Sequence, residues 1–233
     1  MCEATAKRST TARKGGGPDR RDVLNGRLLD GLTLVEPYGI PRMEPCALVP
    51  ERLVAFSEAV HKADPTPGTW VHFYEDDYKF ERLWREPERH FDLLTPFDGV
   101  ISPDFSLYRN MSGSCKIWNT YRSYLLGAAM QARGMKVIVN VRLSGRKSIP
   151  YALAGVPPDS TLAIGLHGCT KSVENRGHVL EEVRTICDEC QPANLVVYGS
   201  SRYGVLDYPV EQDIPVYEYK PDAFTRSRER RSK

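Results

Sequence analysis

The 233-residue chain is predicted to be α/β, with a mostly parallel sheet of about seven strands forming a compact or incomplete TIM-barrel-like body. Three observations point there. Apolar runs alternate with helical patterns, as in successive βαβ units. Several runs are apolar at consecutive positions instead of every second one, which fits strands covered on both faces. The patterned body, about 190 residues, is slightly shorter than the ~200–250 of a full eightfold barrel. An open doubly wound sheet is the close alternative.

The elements follow in order. "GLTLVEP" (31–37) is a short strand that stops at a proline. "PERLVAFSEAVHKA" (50–63) places Leu53, Phe56 and Val60 at helical spacing, with Pro50 suited to a first turn. "TWVHFYEDD" (69–77) is a strand, and residues 78–94 are helical with an interruption at Pro87. "FDGVISPD" (97–104) is the next strand. Residues 114–134 give the strongest helix, with Ile117, Tyr121, Tyr124, Leu125 and Ala128 on one face and Gly134 as its stop. "MKVIVNVRLSG" (135–145) and "STLAIGLHGC" (160–169) are strands, residues 173–191 a helix, and "ANLVVYGS" (193–200) and "IPVYEYK" (214–220) the last two strands.

Charge divides the chain. Residues 1–21 and 220–233 each hold six basic residues against two acids, while the whole chain carries only +2, so the body is acidic. An acidic body is not a nucleic-acid-binding fold in itself, although the tails allow a weak contact with a polyanion. Residues 1–28 and 221–233 lack core-forming periodicity and are expected to be disordered basic tails around a single domain, 29–220. No apolar run reaches the ~18–20 residues of a membrane span, and the first residues lack an apolar signal core. Six scattered cysteines in a chain of this length suit a reducing compartment. The expectation is a cytoplasmic protein.

The strand ends carry the functional signal. In parallel α/β folds the carboxyl ends of the strands lie on one side, and ligands bind there. The ends here offer Glu75, Asp76 and Asp77, then Ser102 and Asp104, then Asn140 and Arg142, then His167 and Cys169, then Tyr198 and Ser200. The candidate catalytic residues are Glu75, Asp76, Asp104 and His167; Asn140, Arg142, Tyr198 and Ser200 are candidate substrate contacts. Each position also suits a turn or a helix cap, since Asp and Ser favour both. If Asp104 shares a pocket with Glu75 or Asp76, like charges meet there, and neutralising Asp104 should stabilise the fold.

Other motifs carry less. "CDEC" (187–190) is a lone C-x-x-C closing a helix, where a zinc site needs a second pair and a redox motif opens one. His167 and Cys169 share a strand face, which allows a dyad, and "YGSSRYG" (198–204) reads as a loop or an anion-binding nest. The sequence has no dinucleotide, P-loop or zincin signature and names no metal or cofactor.

"SPDFSLY" (102–108) and "NTYRS" (119–123), with looser support from "EPYGIPRM", "VHFYEDDYKFERLW" and "GLHGC", resemble the domain of unknown function 4417 over roughly Leu34–Tyr219. The resemblance implies a protein carried by phages, plasmids or integrated elements, some of whose relatives have a replication-associated label. It transfers no catalytic residue. Two functions follow: a hydrolase or nucleotide-directed enzyme using general acid–base catalysis, or a non-catalytic accessory that binds a partner protein or nucleic acid.

Overall fold

The computed structural model describes residues 22–62, 64–166, 173–199 and 201–220. Seven strands, β3 (Arg52–Ala55), β4 (Thr69–His72), β5 (Gly99–Ile101), β6 (Val137–Asn140), β7 (Thr161–Gly165), β8 (Asn194–Tyr198) and β9 (Val216–Tyr219), pair in sequence order and all in parallel. That sheet is nearly closed into a barrel, flanked by helices. Its two end strands have no ladder between them. Instead the Tyr219 hydroxyl donates to the Pro50 carbonyl just before β3.

Alternation along the strands sorts the core into two parts. Leu53, Trp70, Ile101, Ile138, Ala163, Val196 and Tyr219, one from each strand, cluster inside the barrel with Cys46, Tyr74 and Tyr198. Their strand neighbours Val71, Val100, Val137, Leu162 and Leu195 face outward against the helices. Trp70 reaches far into the barrel because Gly99 opposite it has no side chain: a β-carbon there would stand 2.5 Å from the indole ring.

The helices fill the crossovers. The chain pauses at Glu86 between α2 (Asp77–Arg85) and α3 (Pro87–Leu94), where Pro87 opens the second helix at a position that has no intrahelical N–H bond to lose. The long α4 (Gly113–Ala132) begins at Ser112, whose hydroxyl accepts from the Cys115 N–H, and ends before Gly134 at φ +83°. α5 (Ile149–Ala152), α6 (Val173–Cys190) and α7 (Asp207–Glu211) complete the set.

Two expectations are corrected. The first barrel strand is not "GLTLVEP", part of which forms the small hairpin of β1 (Leu34–Val35) with β2 (Ile40–Pro41), outside the main sheet. It is Arg52–Ala55, which sequence periodicity assigned to a helix over 50–63; only α1 (Phe56–Ala59) of that stretch is helical. Pairing with β4 over four residues outweighs a weak local helical pattern. Residues 22–28, part of the segment expected as the N-terminal tail, are described and pack on α2 and α3. Asn25 is buried and donates from Nδ2 to the Trp84 carbonyl at 2.8 Å, and Arg27 grips Glu88 with bonds of 2.7 and 2.9 Å. Residues 1–21 and 221–233, which hold the rest of the expected tails, lie outside the described residues, as do His167, Cys169 and Ser200. Among the described residues no helix is long and apolar enough to cross a membrane.

Candidate functional site

A cavity of about 670 Å³ opens at the carboxyl ends of the strands. The same alternation that fills the barrel builds its floor. His72, Asn140 and Tyr198 stand at inward positions two residues beyond Trp70, Ile138 and Val196, and all three are buried. The Tyr74 and Tyr198 rings stack at 5.0 Å, and the His72 ring lies 4.2 Å from that of Tyr198. Gly165 leaves room for this stack, since a β-carbon there would meet the Tyr74 ring at 2.6 Å.

Asp104 sits on this floor, 7% exposed. Its Oδ1 accepts from Asn140 Nδ2 at 2.8 Å, and its Oδ2 forms an ion pair with Arg142 Nη1. Asn140 is fixed in turn. Its Oδ1 accepts from the Tyr74 hydroxyl at 3.0 Å, and its backbone N–H donates to Ser102 Oγ at 2.8 Å. Three strand ends, those of β4, β5 and β6, thus hold one carboxylate in a single orientation. The low dielectric has a cost for Tyr74: burial, with Asp104 adding to it, pushes its phenol well above the ordinary value.

Glu75 lines the same cavity and is almost fully enclosed. It accepts from the Ser57 N–H at 2.9 Å and from the Ser57 hydroxyl, and Lys79 Nζ lies 3.7 Å away. It therefore anchors the start of α1. Asp76 is exposed at the entrance, in the residue before α2, and makes no side-chain capping bond there. Asp77 turns elsewhere, to the Ser106 hydroxyl at 2.7 Å.

The wall contributed by α6 was not foreseen. His178 and Glu182, one helical turn apart, face the cavity. Glu182 Oε1 accepts from the Gly145 N–H at 3.1 Å and lies 3.7 Å from Arg109 Nη2. Burial raises the Glu182 carboxyl above its ordinary value, against the lowering pull of that N–H and of Arg109, Arg142 and His178. The i, i+4 spacing was a readable sign, but on a helix it reads equally as a solvated face. Among the described residues, no group of three His, Cys, Asp or Glu side chains is arranged to hold a metal ion. Of the residues proposed from sequence, Glu75, Asp76, Asp104, Arg142 and Tyr198 line the cavity and Asn140 braces it from below; His167 and Ser200 are outside the described residues.

The family model described as "Domain of unknown function (DUF4417)" matches residues 32–220. The chain belongs to that family. Its relatives include the Gene 1 protein of Mycobacterium phage L5, 33% identical over 86% of this chain and 87% of the relative. The Gene 1 protein of Mycobacterium phage D29 is 31% identical over 86% of this chain and 74% of the relative. The family is thus phage-associated, and the match spans every strand of the barrel. No solved structure matches the chain.

Proposed function

We propose that the cavity is an acid–base active site that turns over a small polar substrate, in the manner of a hydrolase or nucleotide-directed enzyme. The observation that carries this reading is a pair of carboxyl groups in contrasting surroundings around one guanidinium. Asp104 is ion-paired to Arg142 and braced by Asn140. Glu182 is raised by burial and feels Arg142 only through space. Such contrast divides the labour of proton donor and acceptor. Glu182 is the donor, Asp104 the acceptor, and Arg142 the group that meets developing negative charge. Tyr198 and Asn140 shape the floor beneath the substrate. His167 as proton carrier and Ser200 as a substrate contact remain part of the proposal. Glu75 is assigned to holding Ser57 in place, because both its oxygens are already engaged. Asp76, at the entrance, is kept as a candidate. The cytoplasm is the proposed compartment, in keeping with free thiols at Cys46, Cys115, Cys187 and Cys190.

The test is a panel of chromogenic esters, phosphomonoesters, glycosides and nucleotides, offered to the wild type and to the Asp104→Asn and Glu182→Gln variants. The expected result is turnover of one class by the wild type and loss of at least a hundredfold in each variant, as removal of a general acid or base costs. No turnover in any class, or full turnover by Glu182→Gln, overturns the reading.

A further inference from the structure

Three segments that follow strand ends repeat one pairing, an exposed tyrosine beside a cation. Tyr78 precedes Lys79 after β4, Tyr108 precedes Arg109 after β5, and Tyr203 follows Arg202 after β8. The three tyrosine residues are 76%, 61% and 55% exposed, so none of them serves the core. The parallel sheet brings all three pairs to the end of the barrel where the cavity opens, and Lys79, Tyr108 and Arg109 line its wall.

Tyr203 adds an independent sign. Its φ of 71° lies in the left-handed region, which a ring-bearing residue seldom occupies and which costs energy to hold. The fold keeps that conformation and uses it to present the ring, which lies under the Arg176 guanidinium at 3.6 Å. Lys79 and Arg109, for their part, approach Glu75 and Glu182 only to 3.7 Å, and both side chains are more than a third exposed. Their charge can be shared with an incoming anion.

We infer that this rim binds single-stranded nucleic acid, with bases stacked on the tyrosines and phosphates held by the adjacent cations. Separate aromatic platforms interleaved with positive charge suit a ligand that itself alternates flat apolar rings with anions. A duplex hides its base faces, and an acidic protein surface would satisfy the cations while leaving the rings idle. The inference goes beyond the acid–base reading and does not depend on it.

The experiment uses the full chain and a fluorescein-labelled fifteen-residue oligothymidylate, read by anisotropy at low salt. Any binding by the basic ends is common to every variant, so substitutions on the rim read the rim alone. The combined Tyr78→Ala, Tyr108→Ala, Tyr203→Ala variant is expected to bind at least tenfold more weakly than the wild type, on the scale of lost base stacking. Binding of poly-glutamate, a polyanion without bases, is expected to stay within twofold. If the triple variant does not fold, Tyr78→Ala with Tyr108→Ala gives the same reading. Equal oligonucleotide affinity in variant and wild type, no binding by the wild type, or a parallel loss of poly-glutamate binding overturns the inference. Turnover is not measured, so this outcome is independent of the enzyme assay.

Discussion

Asn140, at the end of β6, donates its side-chain amide to Asp104 across 2.8 Å, and the Tyr74 hydroxyl holds the same amide from its other side. The carboxylate is thus surrounded by donors. A pocket of like charges would have made its neutralisation stabilising; this arrangement reverses the sign. Asp104→Asn should lower stability by about 1–3 kcal/mol, the usual cost of losing hydrogen bonds to a charged group and leaving their partners unmet. Urea unfolding of the purified variant reads this directly, and an unchanged or raised midpoint would show that the ion pair with Arg142 contributes nothing.

Glu182 gives a pH dependence. Burial holds its folded-state value above the ordinary 4.5, so the folded protein keeps this proton more tightly than the unfolded chain. The resulting stabilisation is complete below the ordinary value and is lost as pH rises through the raised one. Glu182→Gln removes that loss while keeping an acceptor for the Gly145 N–H. Thermal melts should therefore coincide near pH 4 and favour the variant at pH 8. Parallel curves at every pH would contradict the burial of this carboxyl.

Trp70 and Gly99 test the packing of the barrel interior. A methyl group at Gly99 would stand 2.5 Å from the indole, and the ring is enclosed on all sides by the inner cluster. Gly99→Ala should cost about 1–3 kcal/mol by overpacking. Trp70→Leu creates space at the same point, so the double variant should be more stable than the sum of the two single changes implies. Strict additivity would mean that the two residues do not meet.

The thiols of α6 should be unreactive. Burial, reinforced by Asp188, pushes the Cys187 thiol up to about 11, and burial, with Glu189 and Cys187 adding to it, pushes Cys190 up to about 12. Thiolate is then scarce at pH 8. Alkylation of the native protein, mapped by peptide mass spectrometry, should mark exposed Cys115 first and reach Cys187 only on unfolding. Early labelling of Cys187 would place α6 loosely on the barrel.

Asn25 tests the docking of the segment before β1. Its buried amide satisfies the Trp84 carbonyl, and its φ of 56° is one that asparagine tolerates better than most residues. Asn25→Ala should cost about 1–3 kcal/mol and hasten tryptic cleavage at Arg27. Unchanged cleavage would show that Arg27, held by Glu88, anchors the segment alone.

Much of the fold was legible because local pattern and tertiary role agree. The apolar runs at 137–140, 161–165 and 194–198 are covered on both faces, and no amphipathic alternation disguises them. The run Arg52–Ala55 failed for the opposite reason. Leu53, Phe56 and Val60 keep helical spacing, and nothing local reveals that β4 will pair with the first half of the segment.

The sequence by itself determined the parallel α/β class and the meeting of Asp104, Arg142 and Tyr198 at one end, because strand direction alone brings those positions together. Tertiary structure decided the rest. It closed the sheet far enough to stack Tyr74 on Tyr198, set Glu75 on Ser57 instead of on Asp104, and laid the His178–Glu182 face of α6 over the cavity. The physical reason is range. A residue's strand and the direction of its end follow from the few neighbours beside it in the chain. Its hydrogen-bond partner and its burial depend on which distant element packs against it, and that is set only when the whole barrel has formed.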